Sequence, residues 1–237
     1  MLTSRSILIA IEGIDGGGKT TQVRLLREAL ERAHEAPVVS REPTDGIWGK
    51  LIRESATKGR LSLEAELSAF VNDRAEHVQN LVSPALGKGQ MVILDRYFYS
   101  TVAYQGARGG NVAEIKTLME NRFPIPDSVF VIDIDPKVGL QRISNSRSER
   151  PDHFEQLIML EQAREVFGSL GGAHIHHIDG SMTREDVHST IIDRFVHGAL
   201  KAKRCARSYD CGCPPSGAER ILETCEWLRL ARGLGVV

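Results

Sequence analysis

The chain has 237 residues, 41% of them hydrophobic, which is enough for one substantial core, so a single α/β domain with a short appendage is expected. With 30 Lys and Arg against 31 Asp and Glu the net charge is −1, which excludes a global field that would recruit nucleic acid or an acidic membrane. The first apolar run, Ile7 to Ile11, stops at Glu12, too short for a signal-peptide core or a membrane span, and all four cysteines (Cys205, Cys211, Cys213, Cys225) follow residue 204, so a cytoplasmic protein with no disulfide in its main domain is expected.

That apolar run marks a strand over 5–11, and it feeds the glycine-rich segment GIDGGGKT, residues 13–20, which opens a helical pattern carried by Val23, Leu25, Leu26 and Leu30. Strand, glycine loop and helix in this order form a P-loop: loop N–H groups and the helix N-terminus wrap a triphosphate. Gly13, Ile14, Asp15, Gly16, Gly17, Gly18, Lys19 and Thr20 are therefore expected to hold the phosphates of a nucleoside triphosphate, a feature that GTPases, ATPases and kinases share. Lys19 reaches the β- and γ-phosphates and the Thr20 hydroxyl takes Mg²⁺. A Cβ at Gly13 or Gly18 is expected to block the approach of the backbone to phosphate.

Further strand-like runs at about 37–40, 90–94, 128–133 and 174–178 alternate with helical patterns, which argues for a parallel sheet with helices on both faces. Leu63, Leu67, Phe70, Val71, Val78, Leu81 and Val82 predict one long helix over 63–82, with Pro84 near its end. Another helix is expected from Asp152 to Leu170, and a last one from Thr183, as N-cap, to about His197. His174, His176 and His177 fit a strand with polar neighbours better than a metal site. Composition shifts after residue 201, so the expected layout is a domain over 1–200 and a cysteine-containing tail over 201–237, dispensable for catalysis, with either free thiols or a zinc or iron–sulfur site.

Two segments carry the chemistry beyond the loop. Asp95 ends a buried strand, where a carboxylate holds Mg²⁺ directly or through water, and Arg96 follows it, placed for a transferring phosphate. Phe70 and Arg74 share one helical face, so a pyrimidine can stack on the ring while the guanidinium donates to a base carbonyl. Ser100 and Tyr104 have the same spacing.

The segments EGIDGGGKTTQ, REPT from Arg41, FVNDRAEHV from Phe70, DRYFYSTVAYQG from Asp95 and Pro126-Asp127 stand in the order and spacing of the thymidylate kinase family, which the chain resembles over about its first 200 residues. After REP the family's usual glycine pair is replaced by Thr44-Asp45-Gly46. The resemblance implies a P-loop NTPase three-layer sandwich with a five-stranded parallel sheet, a homodimer packed through helices, and transfer of the ATP γ-phosphoryl group to dTMP with Mg²⁺ on Thr20 and Asp95. It implies Phe70 and Arg74 at thymine, Ser100, Tyr104 and Gln105 at the base and the sugar's 2′ position, and Asp15 near the 3′-hydroxyl and the phosphate-binding Arg96. One branch of the family carries a loop arginine after that aspartate; here Gly16 stands there. The chain thus looks like the other branch, whose charge comes from a basic lid, with Arg142, Arg147 and Arg150 available and Arg147 and Arg150 expected to join Lys19, Asp15, Asp95 and Arg96 in catalysis. A kinase for another pyrimidine nucleotide or deoxynucleoside, and a nucleotide-binding regulator without transfer, are the alternatives.

Overall fold

The computed structural model describes residues 5–144, 153–204 and 226–236. Strands β1 (Ile7–Glu12), β2 (Val38–Arg41), β3 (Met91–Asp95), β4 (Ser128–Asp133) and β5 (Ile175–Asp179) form one parallel sheet in the order β2-β3-β1-β4-β5. The three central strands are near-continuous buried runs, as strands covered on both faces must be. β2 and β5, at the edges, are only partly buried. Because β1 lies between β3 and β4, the loops that follow these three strands emerge side by side, where open parallel sheets bind their ligands.

Helices α1 (Lys19–Arg32), α2 (Ile47–Lys58), α3 (Leu63–His77), α4 (Ser83–Gly87), α5 (Phe98–Ala107), α6 (Val112–Arg122), α7 (Pro136–Ser144), α8 (His153–Ser169) and α9 (Arg184–Phe195) complete the layers. The single helix predicted over 63–82 runs as α3, then a π-helical turn at Val78–Val82, then α4. Pro84 sits in the first turn of α4, where its missing N–H costs little, and the wider turn before it accommodates the ring. The expected cap of α9 is formed: the Thr183 hydroxyl accepts the Asp186 N–H at 3.1 Å.

The chain beyond residue 201 departs from the expected tail. α10 (Lys201–Arg204) continues from α9 through a second π-helical turn, and α11 (Glu226–Gly233) brings Trp227, Leu228, Leu230 and Ala231 into the main core. Trp227 donates its indole N–H to the Val196 carbonyl at 2.8 Å, and Arg229 donates to the carbonyl of Ala33 at the end of α1 at 3.2 Å. Residues 226–236 are therefore part of the core rather than an appendage, because the amphipathic run Trp227 to Ala231 needs a partner for its apolar face. The four cysteines lie outside the described residues.

Candidate active site

Where β1 ends, the loop turns into α1 with Gly13, Gly16 and Gly18 all at positive φ (130°, 77° and 84°). A Cβ on Gly13 would overlap the Ile132 carbonyl oxygen of β4, so packing inside the protein already demands this glycine, whereas a Cβ on Gly18 meets no protein atom within 4 Å and its positive φ favours glycine there. Lys19, buried in the first turn of α1, donates from Nζ to the Ile14 carbonyl at 2.6 Å. Burial and the nearby Arg96 push its ammonium down to about 7, against the pull of Asp15, Asp95 and Glu12. Ile11 of β1 pairs in register with Asp95 of β3, which sets the Asp95 carboxylate beside the start of α1. The exposed Thr20 hydroxyl donates to Asp95 Oδ2 at 2.5 Å.

A second cluster meets the loop from the β3–α5 side. Arg96 takes a left-handed φ of 68°, rare for a side chain of this size, and its N–H donates to the Ile11 carbonyl at 3.0 Å. This turn aims the guanidinium back at the P-loop: it donates to the Gly13 carbonyl at 3.1 Å, to Ser100 Oγ at 3.0 Å and to Asp15 Oδ1 at 2.5 Å. Tyr104, one helical turn after Ser100, donates its hydroxyl to Asp15 Oδ2 at 3.0 Å, accepts the Asp15 N–H at 3.0 Å and lies 5.4 Å under the guanidinium. Desolvation raises the Asp15 carboxyl, but Arg96, Lys19 and Tyr104 outweigh it and hold it at about 2. Arg96 is pushed up in turn, since Asp15, Tyr104, Glu12 and Asp95 overcome its own burial. Cation, carboxylate and phenol are thus locked into one assembly that borders the phosphate loop.

This geometry coincides with a match to the thymidylate kinase family over residues 11–191. The chain belongs to the thymidylate kinase family. It is similar to thymidylate kinases of Xanthomonas campestris pv. campestris (strain B100), with 47% identity over 187 residues, 78% of this chain and 81% of the relative. The thymidylate kinase of Xanthomonas oryzae pv. oryzae (strain PXO99A) is 43% identical over 218 residues, 92% of each chain. That of Akkermansia muciniphila is 46% identical over 180 residues, 76% of this chain and 86% of the relative.

Within this family member the expected acceptor residues divide. Asp15, Arg96, Ser100 and Tyr104 come together as described, and Phe70 presents a half-buried ring on α3. Arg74, expected at the base, lies almost wholly inside the core, where it donates to Glu42 and to the Thr101 hydroxyl. Gln105 is fully buried and its amide donates to Glu66 at 2.9 Å, tying α5 to α3. Such contacts across 32 and 39 residues of sequence leave no trace in helical spacing.

Gly16 stands where one branch of the family carries its loop arginine. A side chain there would collide with the backbone of Gly139 in α7, so this chain has no room for a loop arginine. Arg142 of α7 instead donates to the Gly16 carbonyl at 3.2 Å. Arg147 and Arg150 lie outside the described residues. His174 pairs with the Tyr99 hydroxyl at 2.8 Å, His176 stacks on Phe130 and His177 meets the Leu170 carbonyl at 2.9 Å, in keeping with structural roles. Glu12, Glu42 and Asp73 stand inside the motifs EGIDGGGKTTQ, REPT and FVNDRAEHV, but no role of their own was expected of them. Asp73 accepts from the Thr44 N–H at 2.8 Å and hydroxyl at 2.6 Å, so the departure from the family's glycine pair is used to clamp the loop onto α3. The one available signal was a carboxylate ending a buried strand or heading a buried helix face.

Proposed function

We propose that the chain phosphorylates dTMP to dTDP with MgATP. An oxygen of the dTMP 5′-phosphate attacks the γ-phosphorus, the bond from that phosphorus to the β–γ bridging oxygen breaks, and ADP leaves. The observation that carries this reading is that Asp15 and Gly13 belong at once to the phosphate loop and to the Arg96 cluster, which supports donor and acceptor phosphates meeting over one loop. In this reading Lys19 and the loop N–H groups hold the donor phosphates. Arg96 holds the acceptor phosphate, and Asp15 keeps Arg96 oriented while facing the sugar with Tyr104. Phe70 stacks on thymine, Arg74 and Ser100 bound the base pocket, and Gln105 acts by holding α5 on α3. Arg142, with Arg147 and Arg150 of the segment that follows, supplies lid charge.

The paired Thr20 hydroxyl and Asp95 carboxylate, both oxygen donors and beside the phosphate loop, fit Mg²⁺, which takes few protein ligands and completes its shell with water and phosphate. When bound it would neutralise charge on the β- and γ-oxygens. No helix among the described residues is long and apolar enough to cross a membrane. We take the enzyme to act as a cytoplasmic homodimer; exposed Ile47 and Leu51 on α2 and Leu118 on α6 support packing through helices, and a monomeric mass by light scattering at assay concentration would overturn it.

A coupled ADP-release assay with dTMP, dUMP, dCMP, CMP, AMP and thymidine tests the reading. dTMP should be preferred over dUMP by about 10- to 200-fold at most, the discrimination one methyl group supplies. Purines should be far worse, and a 2′-hydroxyl should be penalised for lack of a partner near Tyr104. Preference for AMP, for CMP over dTMP, or for unphosphorylated thymidine would overturn the assignment.

A further inference from the structure

Glu12 is the last residue of β1, and its side chain has no exposure to solvent. A carboxylate so placed must be satisfied within the protein. Its Oε1 accepts the N–H of Tyr97 at 2.9 Å and that of Ser100 at 3.3 Å, and its Oε2 accepts the Ser100 hydroxyl at 2.5 Å. α5 has no side-chain cap of its own, so the strand next to it supplies the negative charge and the acceptor that the helix start requires. The contact with Ser100 has a directional consequence. A hydroxyl has one hydrogen; with that hydrogen given to Glu12, the lone pairs of Ser100 Oγ are left for the Arg96 Nη1–H, 3.0 Å away.

We propose that Glu12 is the positioning residue for acceptor-phosphate binding: through Ser100 it fixes the Arg96 guanidinium in the orientation that spans the Gly13 carbonyl and Asp15. The inference rests on the reading of Arg96 as the ligand of the acceptor phosphate. Glu12 touches neither phosphate. Arg96 has three acceptors in the cluster, and two of them, Gly13 and Asp15, sit on the loop that must also serve the donor nucleotide. Ser100 is the one that belongs to the acceptor helix, and only its bond to Glu12 removes the alternative in which the hydroxyl competes as a donor.

The test is steady-state kinetics with dTMP and ATP varied in turn for Arg96→Ala, Glu12→Gln, Ser100→Ala and the double variant E12Q/S100A, with thermal unfolding measured for each. Glu12→Gln keeps the shape of the side chain but weakens the charge-assisted bond to Ser100, so the dTMP KM should rise by about tenfold while the ATP KM stays within about twofold. Ser100→Ala should show the same split, and Glu12→Asp, which keeps the charge but cannot reach Ser100 equally well, carries the test with the same expected split if the glutamine variant fails to fold. The double variant should be no worse than the poorer single variant, because both changes cut one chain of contacts. Multiplicative losses in the double variant, or dTMP and ATP KM values that rise together, would overturn the positioning role. If Arg96→Ala raises the dTMP KM while the other two variants leave it unchanged, the Glu12 inference fails and the Arg96 reading stands; if Arg96→Ala leaves it unchanged, both fall.

Discussion

Arg74 and Glu42 form an ion pair at 2.6 Å in which both side chains are almost wholly removed from solvent, at 1% and 3% exposure. Glu42 also meets His77 Nδ1 at 2.9 Å, and the guanidinium lies 5.3 Å from the Tyr97 ring and 5.4 Å from the Phe123 ring. The pair joins the loop after β2 to α3, the helix that carries Phe70. Any part that Arg74 plays at the proposed dTMP site therefore rests on the same pair that holds the fold. Arg74→Ala strands a buried carboxylate and should cost about 3–5 kcal/mol of stability in addition to raising the dTMP KM. Urea denaturation measures this, and a loss below about 1 kcal/mol would show that the pair is replaceable.

The C-terminal helix gives a second prediction, one about stability rather than catalysis. Trp227 is 5% exposed and hydrogen-bonded, and Gly233 packs against Ala33 at the end of α1, the helix that begins with Lys19. Trp227→Ala should cost about 3–5 kcal/mol, the range for emptying a buried aromatic site. Truncation before Arg204 should lower the unfolding temperature and the soluble yield together. A truncated enzyme that matches the full chain in both would return residues 226–236 to the status of an appendage.

Much of this was legible in the sequence, for reasons that apply residue by residue. Buried parallel strands must be continuous apolar runs, so Ile7–Glu12, Met91–Asp95 and Ser128–Asp133 announced themselves. The loop residues and the Arg96, Ser100, Tyr104 series follow local rules of turn and helix spacing. What escaped was non-local. Arg74 was read at the base without its buried pairing because its partner Glu42 is 32 residues away, and Glu12 was read only as the end of an apolar run because its partners lie 85 and 88 residues on. α11 escaped because an eight-residue amphipathic helix is a weak signal beside the cysteine, proline and glycine that precede it.

The buried pair Glu12 and Lys19 predicts a pH dependence of stability. Burial raises the Glu12 carboxyl from 4.5 to about 7, against the Ser100 hydroxyl, Arg96 and two N–H groups. Between those pH values the folded chain binds more protons there than the unfolded chain, so the Glu12 contribution is present below pH 4.5 and is lost as pH rises to 7. Lys19 is lowered from 10.5 to about 7, so over that window the unfolded chain binds more protons and stability rises with pH. Chemical denaturation at pH 5, 7 and 9 should show the difference between wild type and Glu12→Gln shrinking or reversing from pH 5 to 7. The difference between wild type and Lys19→Met should move the other way from pH 7 to 9. Parallel curves for all three proteins would sink both assignments.

Lys19→Ala separates chemistry from fold. The ammonium is buried, bonds to the Ile14 carbonyl and sits near the Arg96 cation, which disfavours its charge. Removing it takes away a desolvated, repelled charge, so the variant should unfold at a temperature equal to or above that of the wild type. Turnover should nonetheless fall on the order of a hundredfold or more, because no other side chain in the loop carries positive charge to the β- and γ-phosphates. Arg142→Ala, which releases the Gly16 carbonyl without touching Lys19, should lower turnover less than this if Arg147 or Arg150 supplies the dominant lid charge, and as much if Arg142 does. Near-wild-type turnover in Lys19→Ala, with the protein shown to be folded, would remove the phosphate-site assignment on which the other roles depend.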